Sequence, residues 1–91
     1  MRNIEVVRSF YEKEVAHSSN RNLYTRWNGD RFELVNYSTV IAFADEDEVS
    51  INLSKYSSTT STIQTMILDL GVEYNADYKF RLYKGDWLKW I

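Results

Sequence analysis

The chain has 91 residues, 44% of them apolar, a formal net charge of −2, and neither cysteine nor proline. Such a chain makes one domain near the small end of what folds alone, and it excludes disulfides and thiolate metal sites. The mild acidity predicts no general attraction to nucleic acid or to an anionic membrane. No apolar run resembles a leader, and the longest apolar stretches, such as Met66-Ile67-Leu68, are far too short to span a bilayer. A cytoplasmic location fits.

In chain order, residues 3–16 read as a helix. Asn3 supplies a capping side chain, and Ile4, Val7, Tyr11 and Val15 fall on one stripe at spacings of three and four, with Phe10 beside it. Residues 17–22 are polar and read as a loop. Residues 23–27 alternate as a strand, and Asn28-Gly29 predicts a type I′ hairpin turn, which needs positive φ at both central residues. Residues 31–37 form the return strand, and 40–44 and 49–53 two more, separated by the acidic run Asp45-Glu46-Asp47-Glu48.

Residues 56–65 read YSSTTSTIQT, seven Ser and Thr side chains in ten positions. Ile63, Met66, Ile67 and Leu70 follow at i, i+3, i+4 and i+7, so a helix runs through them. Ser61 with Gln64 three residues on matches a capping box, and Gly71 is placed to end the helix in the left-handed conformation. The cluster therefore has a structural cause; anion binding at the helix start is the alternative. Residues 77–83 alternate again, residues 84–86 turn, and residues 87–91 close the chain. The class is α+β: an N-terminal helix, an antiparallel meander of about four strands, a second helix and a C-terminal strand, with the helices packed on the sheet.

Most chemistry is absent from this inventory. His17 is the only histidine, so no zinc site of His and Cys ligands can be built, and the acidic run lacks the Gly and distant Glu of a calcium loop. No G-x-S-x-G turn presents a nucleophile to His17, and adjacent carboxylates in a turn do not flank a cleft. No metal, cofactor or catalytic residue is expected. Lys79-Phe80-Arg81-Leu82-Tyr83-Lys84 interleaves bases and rings as single-strand binders do, but strand alternation sends Phe80 and Leu82 to the core side. Two features remain for a macromolecular partner: the four carboxylates of Asp45, Glu46, Asp47 and Glu48 at a hairpin end, and Trp87 with Trp90, tryptophan being a frequent interface anchor.

Tyr37-Ser38-Thr39-Val40-Ile41-Ala42, followed by Ile51-Asn52-Leu53-Ser54-Lys55-Tyr56-Ser57-Ser58-Thr59-Thr60-Ser61, resembles a family of small proteins encoded by phages and mobile elements of Gram-positive bacteria. The shared pattern is Y-S-T-x-I and then N-x-x-x-Y-S-x-T-T-S opening a helix. Members often carry His after the T-T-S segment; this chain has Thr62-Ile63-Gln64, so a role for that His does not transfer. The resemblance implies a setting in the bacterial cytoplasm in which small acidic proteins inhibit host defence, anti-CRISPR proteins among them. The expected function is a non-enzymatic inhibitor of a defence nuclease, its acidic turn competing for a groove evolved for phosphate. The alternative is a small nucleic-acid-binding regulator using Arg21, Arg26, Lys79 and Arg81.

Overall fold

The computed structural model describes residues 1–84, so Trp87 and Trp90 lie outside the described residues. The elements are α1 (Asn3–Tyr11), β1 (Leu23–Asn28), β2 (Arg31–Asn36), β3 (Thr39–Ala44), β4 (Glu48–Asn52), α2 (Ser58–Gly71), a 3₁₀ turn (Val72–Tyr74) and β5 (Lys79–Tyr83). The fold is α+β, with a five-stranded sheet in the order β1-β2-β3-β4-β5 and both helices packed on it.

α1 is shorter than the apolar stripe suggests. Arg2, not Asn3, is the N-cap, and the Glu5 carboxylate accepts from the Arg2 backbone N–H at 2.8 Å. The helix stops because Lys13 takes φ 56. The Lys13 N–H donates to the Phe10 carbonyl and the Glu14 N–H to that of Ser9, the paired bonds of a Schellman ending. Val15, which the periodicity places on the buried stripe, is consequently 72% exposed. The chain then runs beside β1: Ser18 N–H donates to the Leu23 carbonyl, Thr25 N–H to that of Ala16, and His17 pairs with Tyr24.

β1 to β4 form the expected antiparallel meander. The first turn is centred one residue later than the Asn-Gly signal suggests: Asn28 pairs with Arg31, so Gly29 and Asp30 are central, and only Gly29 has positive φ, at 62°. That departs from type I′. Between Leu34 and Val35 the register with β3 shifts, since Leu34 faces Ala42 and Val35 faces Val40. Ile41 is the extra residue, and the bulge lets it be buried beside Ala42.

β5 pairs with β4 in parallel, so the sheet is not wholly antiparallel. The reason is the helix between them. α2 has 14 residues, and at about 1.5 Å per residue it spans about 21 Å, enough to carry the chain back along β4 so that β5 restarts at the same end. Alternation places Phe32, Leu34, Ala42, Ala44, Val49 and Ile51 on one face, where they pack with Val6, Val7, Phe10 and Tyr11 of α1 and Ile63, Ile67 and Leu70 of α2. Phe10 stacks on Phe32 at 6.3 Å between ring centroids.

α2 begins four residues earlier than the Ser61–Gln64 box implies. Ser57 is its N-cap, accepting from the Thr60 N–H at 3.2 Å. The hydroxyl cluster therefore lies largely inside the helix. Gly71 is helical rather than left-handed; φ is −56°. Its role is close approach: a Cβ there would lie 3.0 Å from the Tyr11 hydroxyl and 3.2 Å from the Phe80 ring.

Candidate functional site

The strand directions sort the loops into two ends. Residues 29–30, 45–47 and 72–78 lie at one end, and residues 18–22, 37–38 and 53–57 at the other. Both helices run toward the first end: Lys13, just beyond α1, bonds to Asp45, and Tyr74, just beyond α2, bonds to Glu12. That end carries Glu12, Asp30, Asp45, Glu46, Asp47, Glu73 and Asp77, against Arg8, Lys13, Arg31 and Lys79, and Arg8 pairs with Glu73 at 3.2 Å. The opposite end carries Arg2, Arg21, Lys55 and Lys84, with Glu5 as its nearby carboxylate. Each helix adds partial negative charge at its C-terminus, in the same sense as the side chains.

The acidic turn is the sharpest feature of that end, and its four carboxylates are not equivalent. Glu48 opens β4 and its Oε1 meets Arg81 Nε at 2.7 Å, so that charge is committed. The side chains of Glu46 and Asp47 are exposed and that of Asp45 is half-buried. Among the described residues no cation pairs with these three carboxylates. The backbone beneath them is held instead. Asp45 N–H donates to the Glu48 carbonyl at 2.9 Å, Lys79 N–H to the Asp47 carbonyl at 2.7 Å, and Lys13 Nζ to the Asp45 carbonyl at 2.8 Å. The result is a backbone-fixed turn that exposes Glu46 and Asp47 and leaves Asp45 half-buried.

The residues of the nucleic-acid alternative are dispersed. Arg26 and Arg81 share a cross-sheet row, Arg26–Glu33–Phe43–Ser50–Arg81, but stand on opposite edge strands. Four strand spacings separate them by about 19 Å. Arg26 Nε is bound to Glu33 at 2.8 Å and Arg81 to Glu48. Arg21 lies at the basic end and Lys79 at the acidic one.

Sequence reasoning missed two polar clusters. Glu33 is 1% exposed on the face away from the helices. Its carboxylate accepts from Arg26 Nε and, at 3.2 Å, Asn28 Nδ2, with Arg31 at 3.6 Å, and the Arg31 guanidinium lies 4.5 Å from the Phe43 ring centroid. Period-two alternation along residues 31–37 sets Glu33 opposite Phe32 and Leu34 but carries no sign of its burial. The second cluster lies under the start of α2. Thr60 donates to Asn36 Oδ1 at 2.6 Å, Asn36 Nδ2 to the Asn22 carbonyl, Gln64 Nε2 to the Asn52 and Ser54 carbonyls, and Asn52 Nδ2 to Tyr56. These side chains satisfy one another, so the hydroxyl-rich segment ties α2 to the sheet.

His17 sits at a hollow of about 350 Å³ lined by Val15, Ala16, Arg21, Tyr24 and Thr25. Its Nδ1 lies 2.9 Å from the Ser18 carbonyl. Of the two hydroxyls in that lining, on Tyr24 and Thr25, that of Thr25 accepts from Ala16 N–H and donates to the Glu14 carbonyl, which leaves it no proton to give to His17. A second hollow, about 240 Å³, is lined by Ile51, Leu68, Val72, Phe80 and Leu82, with Asn75 as its polar member. Among the described residues no group of three or more His, Asp or Glu could hold a metal ion, and no helix is long and apolar enough to cross a membrane.

Fold and site thus define a class: a small α+β protein, its helices layered on one sheet face and its charge divided between two ends. Comparison with protein-family models, with curated proteins and with solved structures finds no match.

Proposed function

We propose that the chain is a non-enzymatic binding protein whose contact surface is the acidic turn, Asp45, Glu46 and Asp47, directed at a basic groove on a macromolecular partner. The observation that carries this reading is the turn itself: its backbone is fixed by three hydrogen bonds while its carboxylates have no bound cation among the described residues. Preorganised charge loses little conformational entropy on binding and steers the encounter, which suits a phosphate mimic. Glu48, paired with Arg81, supports the turn rather than joining the contact. Trp87 and Trp90 remain candidates from sequence.

The resemblance to phage-encoded proteins supplies the partner class: a host defence nuclease of the CRISPR type, inhibited in the bacterial cytoplasm through protein–protein contact. The test is target cleavage by a purified CRISPR nuclease with and without this protein. Inhibition is expected, and so is its loss in the variant carrying Asp45→Lys, Glu46→Lys and Asp47→Lys. Undiminished inhibition by that variant contradicts the mimic. The nucleic-acid reading has a separate signature, an electrophoretic shift with DNA or RNA that weakens steeply with salt.

A further inference from the structure

We propose that Lys13 is the positioning residue of the acidic turn, an ammonium clamp that holds the turn's backbone and offsets the repulsion among its carboxylates without neutralising any one of them. The inference deepens the reading of residues 45–47 as the contact surface and rests on it.

Lys13 Nζ lies 2.8 Å from the Asp45 carbonyl and 3.5 Å from that of Glu46, so it bonds to the backbone of the turn and not to its side chains. It also lies 5.8 Å from the centre of the Tyr78 ring, and Tyr78 in turn donates to the Tyr11 carbonyl at 2.8 Å. The clamp therefore joins the end of α1, the turn and the segment leading into β5. The left-handed backbone of Lys13 ends α1 beside the turn. Like charges on successive residues destabilise the bend that presents them. A cation beneath the backbone opposes this and leaves the carboxylates free. A carboxylate-to-lysine salt bridge would hold the bend as well but would consume the charge a partner reads.

The test is amide hydrogen exchange by NMR on the full chain, native and with Lys13→Met. Methionine carries the same left-handed backbone cost as lysine, so the substitution isolates the ammonium. The expected result is exchange at the Asp45 and Lys79 amides faster by about ten-fold, with Val49 and Ile51 unchanged. Two further readouts separate a clamp from simple packing. Raising salt to about 0.5 M, which screens the carboxylates, restores protection in the variant. So does combining it with Asp45→Asn, Glu46→Gln and Asp47→Asn. Lys13→Gln serves if the methionine variant is not folded. Unchanged exchange at Asp45 overturns the proposal, as does faster exchange spread through β4 that neither salt nor neutralisation reverses. Either result leaves the contact surface standing, whereas a cleavage assay indifferent to charge reversal removes the contact surface and leaves these exchange rates untouched.

Discussion

At the scale of single residues, a few side chains hold positions that their neighbours in sequence do not announce. Lys13 and Tyr37 adopt positive φ where glycine or asparagine is the usual occupant. No composition signal marks either position, which is why α1 reads five residues too long in the sequence. Glu33 is a charged residue with almost no exposed surface, stabilised by Arg26, Asn28 and Arg31. Glu33→Ala leaves two guanidiniums around an empty site and is expected to lower stability by about 2 kcal/mol, measured by urea unfolding. Tyr11 is a different case: burial pushes its phenol above the usual tyrosine range, as it does for Tyr78. The fold therefore favours the neutral phenols, while the unfolded chain ionises them near pH 10 by the ordinary tyrosine value. Their contribution is complete below about pH 10 and is lost as pH rises further. The urea midpoint is expected to fall above that pH, and Tyr11→Phe to fall less steeply than the native chain.

At the scale of elements, periodicity located every strand and both α-helices among the described residues but not their caps. Ile63, Ile67 and Leu70 were legible as the buried face of α2 because burial sets their spacing. The start of α2 was not legible: in a run of hydroxyls several residues can cap, and the observed start at Ser58 goes with a tertiary bond, from the Thr60 hydroxyl to Asn36 on β2. Thermal unfolding distinguishes the two caps. Ser57→Ala is expected to cost about 1 kcal/mol and Ser61→Ala only a few tenths. Gly71 was read as a helix ending on composition, whereas tertiary packing explains it. Gly71→Ala is expected to destabilise by about 1 kcal/mol in urea even though alanine gains about 1 kcal/mol in helix propensity, because Tyr11 and Phe80 must give way. The parallel seat of β5 depends on where α2 delivers the chain, a property of length and direction rather than of the strand's own residues.

At the scale of the whole molecule, the two parallel helices and the loop charges add to one polarity, with carboxylates at one end and Arg21, Lys55 and Lys84 at the other. The acidic run was legible in the sequence as a hairpin end; that Glu48 is spent on Arg81 and Glu73 on Arg8, and that Asp30 and Asp77 share the end of the molecule with the run, needed the fold. A potential of this shape attracts positive charge toward the acidic end, as the proposed contact at residues 45–47 requires, and weakens with ionic strength. The decisive measurement is the affinity of the native and charge-reversed chains for the CRISPR nuclease proposed as the partner, taken at two salt concentrations alongside each chain's melting temperature. The account predicts unchanged melting, native binding that weakens as salt rises, and a loss of at least about ten-fold in affinity on reversing Asp45, Glu46 and Asp47. Equal affinity of the two chains at both salt concentrations would contradict it.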